Sequence, residues 1–138
     1  MNTILETPRL LLREFIAADC DPLFSVIGDA ETMAFYLRPF TRRETEQWID
    51  RNQRRYRGEG HGLRAAVLKG SGEFIGDCGL ASQDVDGERL IEIAYHIRRD
   101  HWNQGYATEG AQASMRYGFE CINAPKLISL IRPENKAS

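Results

Sequence analysis

The chain has 138 residues, of which 42% are hydrophobic and 28% charged, and its formal net charge is −2. That length suits one domain with a real core, so one fold must carry the function. The balanced charge gives no overall footprint for nucleic acid, and no apolar run approaches the roughly 20 residues that span a bilayer. Residues 1–8 are interrupted by Glu6 and Pro8 and do not read as a signal peptide, which makes the cytoplasm the default location.

Residues 9–15, with Leu10, Leu11 and Leu12 at their centre, read as a strand bounded by Pro8 and by Ala17-Ala18-Asp19. Asp19 or Asp21 can cap a short helix running to Val26, with Pro22 tolerated in its first turn. A second short helix is expected over residues 30–37, closed by Pro39. Thr41 and Glu44 have the spacing of a capping box. The helix they open should run to about Arg57, turn Trp48, Ile49 and Tyr56 inward, and end at Gly58 and Gly60. Seven arginines (Arg38, Arg42, Arg43, Arg51, Arg54, Arg55 and Arg57) crowd this region against Glu44, Glu46 and Asp50. Such a run reads as a solvated helix face or as an anion site.

Beyond Gly60 the pattern changes to strands. Residues 63–69 and 73–80 flank Gly70-Ser71-Gly72 as a hairpin, and a third strand, residues 90–98, follows a polar turn over 83–88. After a loop at 99–103, a helix is expected from about Gln104 to Cys121. Its apolar stripe, Ala107, Ala111, Met115, Phe119 and Ile122, should be buried. Residues 126–131 form the last strand, stopped by Pro133. A helical crossover returns the chain in the same direction, so only the final strand–helix–strand unit must be parallel. The expected fold is α+β: a mixed, mostly antiparallel sheet flanked by helices, with one parallel strand–helix–strand unit. There are no internal repeats.

The three cysteines, Cys20, Cys78 and Cys121, are odd in number and far apart, which fits reduced structural thiols. His61, His96 and His101 lack the spacing of a helix-borne zinc site, and no metal is assigned.

Chemistry concentrates where the third strand runs through a loop into a helix at Gly105 and Ala107. A helix start leaves N–H groups unpaired and carries the positive end of the helix dipole, so such a turn can hold a pyrophosphate. Gly105 would let a phosphate approach the backbone, and Ala107 would let the helix pack closely on the sheet. A dinucleotide-binding module is the weaker reading, since no Gly-x-Gly-x-x-Gly follows a first strand. Arg98 and Arg99, just before the turn, could screen phosphates or be ordinary solvated charges.

The string Ile-Glu-Ile-Ala-Tyr-His-Ile-Arg-Arg-Asp-His-Trp-Asn-Gln-Gly-Tyr-Ala-Thr-Glu, residues 91–109, resembles the acyl-CoA signature of the GNAT N-acetyltransferases, and is most similar to the RimJ/RimL-like branch. Thr7-Pro-Arg-Leu-Leu-Leu-Arg13, Phe74-Ile-Gly-Asp77 and Arg132-Pro-Glu-Asn-Lys-Ala-Ser138 extend the match over nearly the whole chain.

The resemblance implies an enzyme that moves an acetyl group from acetyl-CoA to a primary amine by direct attack in a ternary complex. The superfamily pattern falls on Trp102, Gly105 and Ala107. Tryptophan at the first of these positions suits the RimJ/RimL-like branch, although Trp102 and Asn103 depart from the wider pattern. Backbone N–H groups of Gln104, Gly105, Tyr106, Ala107 and Thr108 would hold the pyrophosphate, and Tyr95, His96 and Ile97 would pair with the pantetheine arm as a strand pairs. Asn135 matches an asparagine that contacts the arm.

Glu92 matches a Glu-Ile pair that serves as base in some members; otherwise it is a strand glutamate facing solvent. Tyr95 and Tyr106 read as packing or cofactor contacts. Phe35, Tyr36 and Trp48 would wall the acceptor side or fill the core. The acceptor would be a small-molecule or protein amine. The family's last helix, which carries the acid tyrosine, and its final hairpin would begin where the chain stops at Ser138. The expectation is therefore a single domain over 1–138 lacking those elements, with exposed apolar surface that favours a homo-oligomer. The rival is a catalytically inactive acyl-CoA-binding or interaction domain.

Overall fold

The computed structural model describes residues 4–34 and 38–121. Five strands form one sheet in the order of the chain: β1 (Ile4–Glu6), β2 (Leu10–Arg13), β3 (Leu63–Leu68), β4 (Phe74–Val85) and β5 (Glu88–Ile97), each antiparallel to the next. Helix α1 (Cys20–Ile27) and helix α2 (Arg42–Glu59) lie between β2 and β3 in sequence, and α3 (Tyr106–Glu120) follows β5. The expected antiparallel sheet with flanking helices is present. Residues 126–131, the expected parallel strand, lie outside the described residues.

Strand alternation sends side chains to two faces, and each face has its own core. On one, Phe15, Leu23, Val26, Ile27, Met33, Ile49, Leu63, Ala65 and Phe74 pack beneath α1 and α2, with Trp48 and Ala94 at the margin. On the other, Leu10, Leu12, Ala66, Ile75, Cys78 and Ile97 meet Ala113 of α3, with Tyr95, Trp102, Tyr106 and Ala107 around them. The period of two therefore places Glu92, Ala94 and His96 on the α1–α2 face of β5, and Tyr95 and Ile97 on the α3 face.

Local chemistry explains the element ends. Thr41 Oγ1 accepts from Glu44 N at 3.1 Å while the Glu44 carboxylate accepts from Thr41 N at 2.9 Å, which is the capping box expected at the start of α2. The helix passes through Gly58 and stops at Gly60, whose φ of 77° supplies a left-handed cap. Ile49 is buried as expected, whereas Trp48 and Tyr56 are only partly so. The arginine-rich stretch is a mostly exposed helix surface laced with ion pairs, Arg38–Glu44, Arg42–Asp21 and Arg54–Asp50 among them. β4 and β5 join through Asp86 (φ 52°) and Gly87 (φ 79°), a tighter turn than the six residues expected. Gly76 is required by close approach, because a Cβ there would lie 1.9 Å from the His96 carbonyl oxygen.

Four further features depart from the sequence reading. The chain start contributes a strand, β1, paired with β2 from Ile4↔Arg13 to Glu6↔Leu11; three residues are too few to show a period. Residues 30–34 form turns rather than a helix, organised by Asp29, whose carboxylate accepts from Thr32 N and Thr32 Oγ1 at 2.8 Å each. The buried stripe of α3 is Gly110, Ala113, Ser114 and Gly118, while Met115 and Phe119 are 41% and 45% exposed. Small residues set that contact: a Cβ on Gly110 would stand 2.9 Å from Cys78 Sγ. Asp19 also acts otherwise than as a helix cap. It makes no side-chain cap bond to α1 and instead accepts from Ile16 N and two guanidinium nitrogens of Arg13, each at 2.8 Å.

Candidate functional site

β5 delivers the chain to the loop before α3. Trp102 donates its indole N–H to the Ile97 carbonyl at 2.7 Å, pinning the loop back onto the strand end. Asn103 (φ 62°) and Gly105 (φ 85°) both adopt left-handed backbone, a conformation that Asn tolerates and Gly adopts freely. Gly105 is the N-cap of α3, and its carbonyl accepts the first helical bond, from Glu109 N at 3.0 Å. The amides of Tyr106, Ala107 and Thr108 precede that bond and are the orphan donors of a helix start. Asn103, Gln104, Gly105 and Thr108 are exposed, and Tyr106 and Ala107 half-buried against the α3-side core. Seven of the expected binding residues thus occupy one turn at the end of β5. Asn135 lies outside the described residues, as do Phe35 and Tyr36.

Arg98 and Arg99 do not face this turn as free cations. Arg98 pairs with Asp100 and Glu73, and Arg99 with Asp29 and Glu31. The cation beside the turn is one that sequence reasoning missed. Arg9, in the β1–β2 connection, donates from Nε to Glu109 Oε1 at 2.7 Å and from Nη1 to the Gln104 carbonyl at 2.9 Å, and its guanidinium lies 4.3 Å from the Tyr106 ring centroid. Thr7 Oγ1 and Arg9 N both donate to Glu109 Oε2, the latter at 2.8 Å. Burial pushes the Glu109 carboxyl up, but these donors outweigh it and hold the group below the usual range. The signal was present in the Thr7-Pro-Arg string and in Glu109 closing the acyl-CoA signature; only folding brings the two together.

Glu92 stands midway along β5, opposite Ala81, half-buried, and accepts from Gln83 Nε2 at 2.9 Å. Two side chains further along the same face, His96 Nδ1 lies 2.8 Å from Asp77 Oδ1, while Trp48 Nε1 donates to Asp77 Oδ2 at 3.0 Å. Burial lowers the His96 pKa, but attraction to Asp77, their hydrogen bond and the Glu92 charge together raise it above the ordinary value. Trp48 is therefore a polar anchor as well as a packing residue. Tyr95 is on the opposite face, its hydroxyl pushed up by burial and by the neighbouring Cys78.

Among the described residues, no group of three or more His, Cys, Asp or Glu side chains is placed to hold a metal ion, and no helix is long and apolar enough to cross a membrane.

The last described strand of the sheet thus feeds a glycine-opened helix whose orphan amides can receive an anion. The family described as Acetyltransferase (GNAT) domain matches residues 9–138, and the chain belongs to this family of N-acetyltransferases. It is 39% identical to the uncharacterized protein YkkB of Bacillus subtilis (strain 168), an alignment that takes in 99% of this chain and 80% of YkkB. It is 32% identical to the uncharacterized N-acetyltransferase p20 of Bacillus licheniformis, over 97% of this chain and 76% of the relative. The crystal structure of an acetyltransferase from Agrobacterium tumefaciens str. C58 superposes with a TM-score of 0.83 at 26% identity, covering 99% of this chain and 78% of the other.

Proposed function

We propose that this protein is an acetyl-CoA-dependent N-acetyltransferase of the RimJ/RimL-like kind, a single cytoplasmic domain acting on a small-molecule or protein amine in a ternary complex. The observation that carries the reading is the turn from β5 into α3. Its left-handed Gly105 opens the helix, and the orphan amides behind it offer donors to a pyrophosphate.

In this reading the amides of Gln104 through Thr108 take the pyrophosphate, Trp102 and Asn103 shape the loop, and Asn135 contacts the pantetheine arm. That arm extends along β5 past Ile97, His96 and Tyr95. From Ile97 back to Glu92 is five residues, about 17 Å at the strand rise, a span suited to an extended arm. When bound, acetyl-CoA supplies an activated acetyl group as a thioester. The acceptor nitrogen would attack the thioester carbon; as the C–N bond forms and the C–S bond breaks, the second proton of the nitrogen would pass to the leaving sulfur, which departs as the free thiol of CoA. Glu92 accepts the ammonium proton directly or through water, since a protonated amine cannot attack. A backbone N–H of β5 donates to the carbonyl oxygen. The exposed Met115 and Phe119 support self-association, which light scattering over a concentration range tests.

The site is tested at Gly105. Valine there must hold a β-branched side chain at φ 85° and stand where the phosphate approaches. Calorimetry should show CoA affinity lost in Gly105→Val, together with thiol release in an acetyl-transfer assay over a panel of amines. Equal CoA affinity before and after the change would refute the placement.

A further inference from the structure

A carboxylate in the first turn of a pyrophosphate-binding helix is an anomaly that the fold must resolve. The α3 dipole favours Glu109, yet an unneutralised charge there would repel a phosphate approaching the same turn. The chain answers with the β1–β2 connection, about a hundred residues away in sequence. Thr7 and the Arg9 amide occupy one carboxylate oxygen, and the Arg9 guanidinium occupies the other. The same guanidinium takes the Gln104 carbonyl at 2.9 Å and lies against the Tyr106 ring. A trans peptide is planar, with its N–H opposed to its C=O, so gripping the Gln104 carbonyl also fixes the direction of the Gly105 amide. Arg9 Nη2 would lie 3.2 Å from a Cβ on Gly105, which places the cation directly beside the turn.

Resting on the acetyl-CoA reading above, we propose that Arg9 is a positioning residue for the pyrophosphate turn: it cancels the Glu109 charge and aims the Gly105 amide. Arg9 acts through Glu109 and Gln104 rather than on the reacting atoms. A merely structural Arg9 would affect every part of the cofactor alike. A positioning Arg9 affects only ligands that carry the pyrophosphate.

The test compares CoA with pantetheine, which lacks the pyrophosphate, using calorimetry for the first and NMR titration for the second. Arg9→Ala should weaken CoA binding by about 10-fold or more, the scale of a lost charge-assisted hydrogen bond, and leave pantetheine binding unchanged. Arg9→Lys restores a charge but not the two-pronged grip, and should recover part of the CoA affinity. If Arg9→Ala fails to fold, Arg9→Lys carries the comparison, with partial loss for CoA and none for pantetheine. Unchanged CoA affinity, or equal losses for both ligands, overturns the inference while leaving the acetyl-CoA reading intact. A wild-type chain that binds neither ligand overturns that reading, and this inference with it.

Discussion

His96 and Asp77 form a buried pair across β4 and β5, 2.8 Å apart, with side chains 9% and 0% exposed. The register that opposes these two residues places the imidazole where Trp48 closes the other carboxylate oxygen. Removing the imidazole as His96→Leu leaves a carboxylate with the indole as its remaining cross-element donor. The expected loss is about 3–5 kcal/mol, the scale for breaking one side of a buried pair. The double variant with Asp77→Asn should recover part of it. Chemical denaturation of the four proteins of this cycle checks both statements.

The same pair sets a pH dependence whose sign follows from the raised His96 pKa. A base that is easier to protonate in the folded state stabilises the fold fully below its unfolded value, near 6.5. That contribution is lost as pH rises through the higher folded value. His61 acts oppositely: burial lowers its pKa, so its protonation works against the fold as pH falls below the unfolded value. Subtracting the profile of His96→Leu from that of the wild type isolates the His96 component. Stability should decline with pH above about 6.5 in that difference. A flat difference profile would show that the fold leaves the His96 pKa at its unfolded value, and stability that instead falls below about pH 6.5 in that difference would show an imidazole kept neutral by burial.

The capping box of α2 gives a second stability test. Thr41→Ala removes the acceptor for Glu44 N and should cost about 1 kcal/mol. The Glu44 carboxyl is held down to about 2, first by Arg38 and then by Thr41 N–H. Its contribution is therefore present above the ordinary carboxyl value near 4.5 and is lost as pH falls through about 2. A thermal midpoint unchanged in Thr41→Ala would mean that the hydroxyl of the cap adds nothing to the buried anchors of the helix, Thr45, Ile49 and Asn52 among them.

Cysteine chemistry should follow burial. The Cys78 thiol is pushed up to about 12 by burial and sits under Gly110, with Ser114 Oγ 3.6 Å away. Cys121 is exposed. Alkylation of the native protein near pH 8, followed by mass spectrometry, should label Cys121 and spare Cys78. Gly110→Leu, which overfills that contact, should cost roughly 1–3 kcal/mol and open Cys78 to the reagent.

What the sequence made legible was local. The capping box, the Gly70–Gly72 hairpin and the glycine at the start of α3 are each specified by residues within a few positions of one another, so their chemistry can be read in line. The buried face of α3 was misread because apolar periodicity favours large side chains, whereas this helix approaches the sheet through Gly110, Ala113, Ser114 and Gly118. Glycine and serine carry no signal in such a pattern. The Arg9–Glu109 contact and the Trp48–Asp77–His96 group depend on strand register and on elements far apart in the chain. Neither has an in-line signature beyond the presence of its members.

Glu92 offers the most direct test of mechanism. Its carboxylate lies on the α1–α2 face of β5, whereas the proposed phosphate donors are backbone amides of the turn beyond Ile97. Glu92→Gln keeps the shape of the side chain and an oxygen that can still accept from Gln83, so CoA affinity should stay nearly unchanged. Turnover should fall by about 10²- to 10⁴-fold, the usual contribution of general-base catalysis. Raising the pH should recover part of that loss, because a larger share of the acceptor amine is then already neutral and needs no base. The paired measurement of CoA affinity and the pH–rate profile separates this role from a structural one, which would disturb binding and leave the profile's shape alone. Wild-type turnover with an unchanged pH profile in Glu92→Gln would remove Glu92 as the base and place proton transfer on a water chain or on another group.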